Sequence, residues 1–127
     1  MIMAQRRMIT KSIFLNGEFL RMSRDAQILY LASIVHADDE GIVDVYPVMQ
    51  LLSISSLGVF REIVDAKFMI RLSERDSLIA LVTEWDQMNH VPQNRFVASK
   101  HHELKVRILS ENDRMSLAAP PINGKEG

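Results

Sequence analysis

Cationic side chains set close to hydroxyl groups are the residues of this chain whose chemistry is most suggestive. A guanidinium or ammonium group attracts phosphate, and a serine hydroxyl donates a hydrogen bond to a phosphate oxygen. Residues of these two types recur between positions 55 and 75, and they are Ser55, Ser56, Arg61, Lys67, Arg71 and Arg75. The pattern indicates either contact with a phosphate backbone through this part of the chain, or a solvated face or docking surface.

Two further groups of basic residues leave alternatives open. The first group is Arg6, Arg7 and Lys11. It is typical of an arm that reaches a minor groove or a row of phosphates, or of an exposed, solubilising N-terminus. The second group is Lys100, His101, His102, Lys105 and Arg107. It either extends a nucleic-acid surface or forms the outer face of an oligomerising helix.

Patterns typical of catalysis and of metal binding are missing from the sequence. There is no cysteine, glycine-rich phosphate loop, nucleophile elbow or HExxH motif. His36, Asp38, Asp39 and Glu40 lack the spacing of a calcium loop, and we interpret them as a solvated turn. We therefore expect no enzymatic activity, no cofactor and no metal.

The charge of the chain is unevenly distributed. Residues 1–36 carry five basic and two acidic side chains, whereas residues 37–66 carry one basic and six acidic ones. A protein that binds polyanions in bulk is usually basic overall, so any DNA contact must use local patches. No apolar run is long enough to cross a bilayer, and we expect a cytoplasmic protein without a membrane partner.

The elements that must position these side chains follow from periodicity and capping residues. Residues 25–36 form an apolar helix with Ser23 as its N-cap, and its apolar residues cover most of its circumference, which is typical of a central core helix. Gly41 ends the following acidic turn, and a short strand begins at Ile42. Pro47 fits the first turn of a second helix, and Ser55 or Ser56 caps a third. The last two helices form a helix-turn-helix.

A hairpin and a final helix complete the predicted fold. Residues 68–72 and 78–83 are β-prone and are joined by residues 73–77, a connection of hairpin length. Residues 85–96 look irregular, with Trp85 closing one end of the core, and a helix is predicted over residues 99–109. The fold class is α+β: a winged helix-turn-helix, with a three-helix core and a small antiparallel β-sheet, plus an N-terminal arm and a C-terminal helix.

The predicted boundaries divide the chain into four parts. Residues 1–22 are an arm that packs on the core, and residues 23–96 are the winged-helix domain. Residues 97–110 are the C-terminal helix, and residues 111–127 are a linker or disordered tail.

The outer face of the third helix would carry Glu62 and Asp65, which disfavour a polyanion on that face.

Four segments of the chain resemble a known family. They are AQRRMITKSI, QILYLASIVHADDEGIV, FREIVDAKFMIRL and LVTEWDQMNHVPQNRF, within residues 4–110. In this order they resemble the N-terminal domain of replisome organisers from phages of Gram-positive bacteria, which are related to DnaD-type primosome proteins. The resemblance implies a winged helix that binds the replication origin or self-associates, and that helps to recruit the replicative helicase.

Two functions follow as hypotheses. The first is a DNA-binding module of a phage or prophage replication initiation protein, with DNA and a helicase or its loader as partners. The second is an oligomerisation or docking module of a primosome component without direct DNA contact. Affinity for DNA that falls steeply with salt would favour the first, because phosphate contacts release counterions. A concentration-dependent dimer would favour the second.

Overall fold

The computed structural model describes residues 6–73 and 77–118, with the side chains of the last helix as far as Glu111. Its described part is α+β, with six α-helices and a three-stranded antiparallel sheet. Short 3-10 turns lie at Lys11–Leu15 and Gln93–Arg95. The helices and strands in chain order are α1 (Gly17–Arg21), α2 (Arg24–His36), β1 (Ile42–Asp44), α3 (Val45–Leu51), α4 (Leu57–Asp65), β2 (Met69–Arg71), β3 (Ile79–Val82), α5 (Trp85–Met88) and α6 (His102–Ala118).

Helix α2 starts at the predicted cap and packs with one face on the core. The Ser23 hydroxyl accepts a hydrogen bond from the backbone N–H of Ala26 at 3.1 Å, which satisfies a donor that lacks a partner at a helix start. Leu29 and Ser33 are fully buried on the inner face. The helix is central to the core as predicted, but core does not cover its whole circumference, because Ile28 and Val35 are 50% and 52% exposed on the other face.

Helices α3 and α4 are joined by a tight turn in which Ser53 has a positive φ of 59°. Asp44 caps α3 by accepting a hydrogen bond from the backbone N–H of Tyr46 at 3.3 Å. Of the two serines that could cap α4, Ser56 does so, accepting from the N–H of Gly58 at 3.2 Å. Phe60 and the other buried residues of α4 face α2 and the sheet. One side of α4 therefore remains open to solvent.

The sheet has the strand order β1-β3-β2 and is apolar on both faces. Val43 pairs with Ala80, and Met69 with Val82, and these residues pack against the helices. The other face presents Ile42, Leu72, Ile79 and Leu81, and α6 covers it with Leu104, Ile108 and Leu109. Because successive side chains along a strand point to opposite faces, the two faces of this sheet pack against two different apolar clusters.

Three later parts of the fold differ in detail from the predictions. They are the connection between the last two strands, the segment that follows those strands, and the C-terminal helix. Arg75 lies outside the described residues. The segment predicted as irregular contains α5 and the 3-10 turn at Gln93–Arg95. Helix α6 begins at His102 and continues to Ala118, past the predicted end of the helix and into the predicted tail.

Candidate functional site

The N-terminal half of α4 presents a surface of small and uncharged side chains with one cation. Ser55, Ser56, Leu57 and Gly58 are exposed, and Arg61 is exposed one turn further along the helix. Hydroxyls, a glycine that permits close approach of the backbone, and a guanidinium suit contact with a phosphate or a base edge. No carboxylate belongs to this half of α4.

The Glu62 carboxylate is turned away from this surface. One of its oxygens accepts a hydrogen bond from the backbone N–H of Ser23 at 2.9 Å, and the other accepts from the Ser23 hydroxyl at 2.8 Å. A carboxylate at the start of a helix stabilises it, because the helix dipole is positive there. Glu62, predicted on the outer face, is partly exposed with its carboxylate bonded to Ser23, whereas Asp65 is exposed at the other end of α4.

Arg61 and Arg71 are brought together from α4 and β2. Both line one small cavity, with Leu57, Phe60 and Val64 as its apolar walls. Arg71 donates a hydrogen bond to the carbonyl of Ser77 at 2.9 Å, and its guanidinium lies 6.0 Å from the centre of the Phe60 ring. These contacts hold the Arg71 side chain in place beside α4.

Lys67 lies in a different place from the two arginines. It follows α4 with a φ of 68° and lines a cavity of about 380 Å³ together with Glu18 and Glu84. Burial, followed by the Glu84 charge, raises the pKa of Tyr30 in the same cavity to about 12. Two carboxylates in the wall repel a polyanion, so Lys67 does not extend the α4 surface.

Lys11 belongs to the same region as Lys67. It is exposed at the start of its 3-10 turn. Its sequence neighbours Thr10 and Ser12 line the Lys67 cavity, which shares no residue with the cavity of Arg61 and Arg71. Lys11 is thus separate from the α4 surface.

Arg7 is an internal structural residue rather than part of an exposed arm. Its side chain is 4% exposed, and it forms an ion pair of 2.9 Å with Asp39. It also donates to the carbonyl of Ala37 and lies over the ring of Trp85, 5.3 Å from its centre. The guanidinium group of Arg7 is therefore not accessible to a phosphate. Arg6, in contrast, is exposed and lines a third cavity together with Arg95.

The acidic turn predicted as solvated is largely buried. Asp38 accepts hydrogen bonds from the N–H groups of Glu40 and Ile42, both at 3.0 Å, and so closes the turn. Asp39 and Glu40 are 4% and 6% exposed. The second carboxylate oxygen of Asp39 accepts from the N–H of Val97 at 2.9 Å. The turn therefore ties the C-terminal segment to the domain.

Glu40 holds the start of α6. Its carboxylate contacts the N–H of Ser99 at 2.7 Å, Nδ1 of His102 at 2.7 Å and Nζ of Lys105 at 3.2 Å. Burial raises the pKa of the Glu40 carboxyl, but the hydrogen bonds from Ser99, His102 and Lys105 outweigh burial, and the net pKa lies below 4.5. His102 and Lys105, predicted as surface cations, are thus engaged with the domain.

Trp85 and Asn89 complete this junction. Trp85 is buried at the end of the core, as expected, and its Nε1 donates to the carbonyl of Asp39 at 3.0 Å. The Asn89 side chain accepts from the backbone N–H of Met8 at 2.7 Å and donates to the Met8 carbonyl at 3.0 Å. Sequence reasoning did not predict these pairings, because their partners lie 46 and 81 residues apart.

Comparison with protein-family models, with curated proteins and with solved structures found no match to this chain. Within residues 6–73 and 77–118, no helix has the length and apolarity to cross a membrane. In the same described ranges, no three acidic, histidine or cysteine side chains are grouped as ligands of a metal ion.

Proposed function

We propose that this chain is a winged-helix module of a phage or prophage replication initiation protein, with α4 as its recognition helix. Support comes from the order helix, strand, helix, helix, strand, strand along the chain and from the sheet order β1-β3-β2. The resemblance to phage replisome organisers supports the same class. By that resemblance, its replication partners are the helicase or its loader.

The DNA contact is proposed for the N-terminal half of α4 and the neighbouring end of β2. The observation that carries this proposal is the position of Glu62, the acidic residue that directly follows this half of α4, whose carboxylate is bonded to Ser23. Ser55 and Ser56 would meet phosphates or base edges, while Arg61 and Arg71 would anchor the backbone. Lys67, Lys11, Arg6 and Arg7 lie elsewhere and take no part in this contact.

A contact with so few cations gives weak binding, and its salt dependence is shallower than the steep fall expected if all the candidate cations met DNA. The logarithm of the affinity falls with the logarithm of salt concentration by about 0.9 for each phosphate neutralised on duplex DNA. With Arg61 and Arg71 as anchors, we expect a slope of about −2 for one copy of the protein. Several copies on one duplex would be needed for tight binding at physiological salt.

Replacing Arg61 by glutamine is expected to weaken duplex binding about tenfold and to reduce the salt slope by about 1, because one phosphate contact is lost. Fluorescence anisotropy with a labelled duplex at two or more salt concentrations measures both quantities. Lys67→Gln is the matched control, since it removes one exposed cation outside the α4 surface. Equal losses in the two variants would contradict the proposed surface.

Self-association is the second candidate function, and the outer face of α2 favours it. Ile28, Leu31 and Val35 recur at spacings of three and four residues, which is the spacing of a helix-pairing seam. Ile28 and Val35 are about half exposed although they belong to the helix at the centre of the chain's fold. An apolar stripe of this kind on a helix marks an interaction surface.

The occupant that we propose for the stripe is α2 of a second copy in antiparallel orientation. Arg24 lies at the N-terminal end of the stripe, and Asp38 follows its C-terminal end. An antiparallel pair would place Arg24 of each copy near the acidic turn and negative helix end of the other. A two-fold axis would make both contacts identical.

Replacing Val35 by lysine is expected to dissociate such a dimer, because each ammonium group would be buried against the apolar Ile28 of the other copy without a counter-charge. Sedimentation equilibrium over a range of protein concentrations should show a dimer for the wild type and a monomer for Val35→Lys. Leu15→Lys is the matched control, as Leu15 is exposed outside α2. A wild-type protein that stays monomeric at high concentration would rule out this second function.

A further inference from the structure

A cavity of about 530 Å³ lies between the N-terminal segment and the chain that follows α5. Arg6, His90, Asn94 and Arg95 supply polar groups to its wall. Met8, Val91 and Pro92 supply apolar ones. This cavity shares no lining residue with those of Arg61 and Lys67, so it is a separate site.

Hydrogen bonds position the two sides of this cavity. Asn89 holds the backbone of Met8 through two hydrogen bonds, of 2.7 and 3.0 Å, which sets the path of Arg6 two residues earlier. On the other side, Pro92 precedes the 3-10 turn that carries Arg95, and the N–H of Arg95 donates to the Pro92 carbonyl at 2.9 Å. Two arginines far apart in sequence thus line one cavity.

The charge of the cavity wall is positive. Asp39 is the carboxylate among the lining residues, and the ion pair with Arg7 neutralises it. Arg6 and Arg95 are exposed, and within the part of the chain that the structure describes neither has a hydrogen-bonding or ion-pair partner for its side chain. Two free guanidinium groups in a concave site attract an anion more strongly than the same groups on a flat surface.

We propose that this cavity binds a nucleotide unit, with Arg6 and Arg95 on its phosphate. Guanidinium groups bind phosphate through paired hydrogen bonds. The side chains of Met8, Val91 and Pro92 offer an apolar surface to the sugar and base, and the Asn94 amide offers hydrogen bonds to base edges. The unit is either a free nucleotide or part of a single nucleic-acid strand. Its binding in this cavity does not depend on the α4 surface.

Titration of the full chain with three probes tests this proposal. The probes are inorganic phosphate, thymidine monophosphate and a ten-residue oligothymidylate, each followed by calorimetry at low salt. Trp85 is the single tryptophan of the chain. Arg7 lies over the Trp85 ring and also lines the cavity, so Trp85 fluorescence reports binding in the cavity. We expect saturable binding of the thymidine-bearing probes, with a change in Trp85 fluorescence. Tighter binding of the oligonucleotide identifies a strand as the ligand, and equal binding identifies a free nucleotide.

Arg95→Gln is expected to weaken binding of the thymidine-bearing probes at least about tenfold, as loss of a charged hydrogen-bonded pair does. Lys67→Gln, which removes an exposed cation outside both proposed sites, is expected to leave binding of these probes unchanged. Thermal melting checks that both variants fold. A wild type that binds neither thymidine-bearing probe, or an Arg95→Gln variant that binds as the wild type does, would overturn the proposal. The duplex assay on Arg61→Gln tests the other function independently.

Discussion

Replacing Gly41 by alanine is expected to lower the free energy of unfolding by about 2–5 kcal/mol. Gly41 has a φ of +82°, and a Cβ atom there would lie 2.4 Å from Cγ of Trp85. A left-handed conformation costs a non-glycine residue about 1–2 kcal/mol, and overpacking a core adds about 1–3 kcal/mol or more. Trp85 cannot move aside cheaply, because it is buried and bonded to the Asp39 carbonyl. The sum is a large share of the total stability of a small domain.

Circular dichroism during heating and urea unfolding would measure this loss. Gly17→Ala is the matched control, since a Cβ atom at Gly17 would meet only the end of the exposed Arg21 side chain, at 3.3 Å. We expect the control to melt close to the wild type. A Gly41→Ala protein that melts within a few degrees of wild type would contradict the packing of Trp85 on this turn.

Local features of the fold could be predicted from the sequence. Ser23 caps α2 and Ser56 caps α4, because a hydroxyl at a helix start needs only the next few residues as partners. Gly41 ends the acidic turn with the positive φ that its lack of a side chain permits. The strands on either side of residues 73–77 also pair as predicted. Each of these features depends on short stretches of chain.

The candidate site could be predicted only in part, since exposure depends on distant partners. Arg7 and Asp39 both read as solvated charges, yet they lie 32 residues apart and bury each other. Glu62 read as an outward-facing acid on α4, yet its partner Ser23 is 39 residues away. The spacing of residues along one helix predicts the direction of a side chain, but it does not predict which other element supplies that side chain's hydrogen-bond or ion-pair partner.

Two blocks within the segments that carry the resemblance meet in one structural junction. HADDEG supplies Asp39 and Glu40, and the W-x-x-x-N block supplies Trp85 and Asn89. Together they hold the segment around Met8 and the start of α6 on the domain. Those blocks therefore hold the segment around Met8 and the segment before α6 on the domain, while the α4 surface that we propose for DNA contact is built from other residues.

Replacing Asp39 by alanine is expected to lower the free energy of unfolding by about 3–5 kcal/mol, because it leaves the buried Arg7 guanidinium without its counter-charge. The N–H of Val97 also loses its acceptor, which releases the segment before α6. Urea unfolding followed by Trp85 fluorescence measures the loss, since Arg7 lies over that ring.

Two controls separate the buried pair from charge loss in general. Glu18→Ala removes the carboxylate of an exposed ion pair with Arg21 and is expected to change stability by about 0.5 kcal/mol at most, because water and salt screen such pairs. The double variant Asp39→Ala and Arg7→Ala removes both buried charges, so it should be more stable than Asp39→Ala alone. If Asp39→Ala lowered the free energy of unfolding no more than Glu18→Ala, the Arg7–Asp39 pair would be solvated. Arg7 would then not neutralise the Asp39 charge in the wall of the positive cavity.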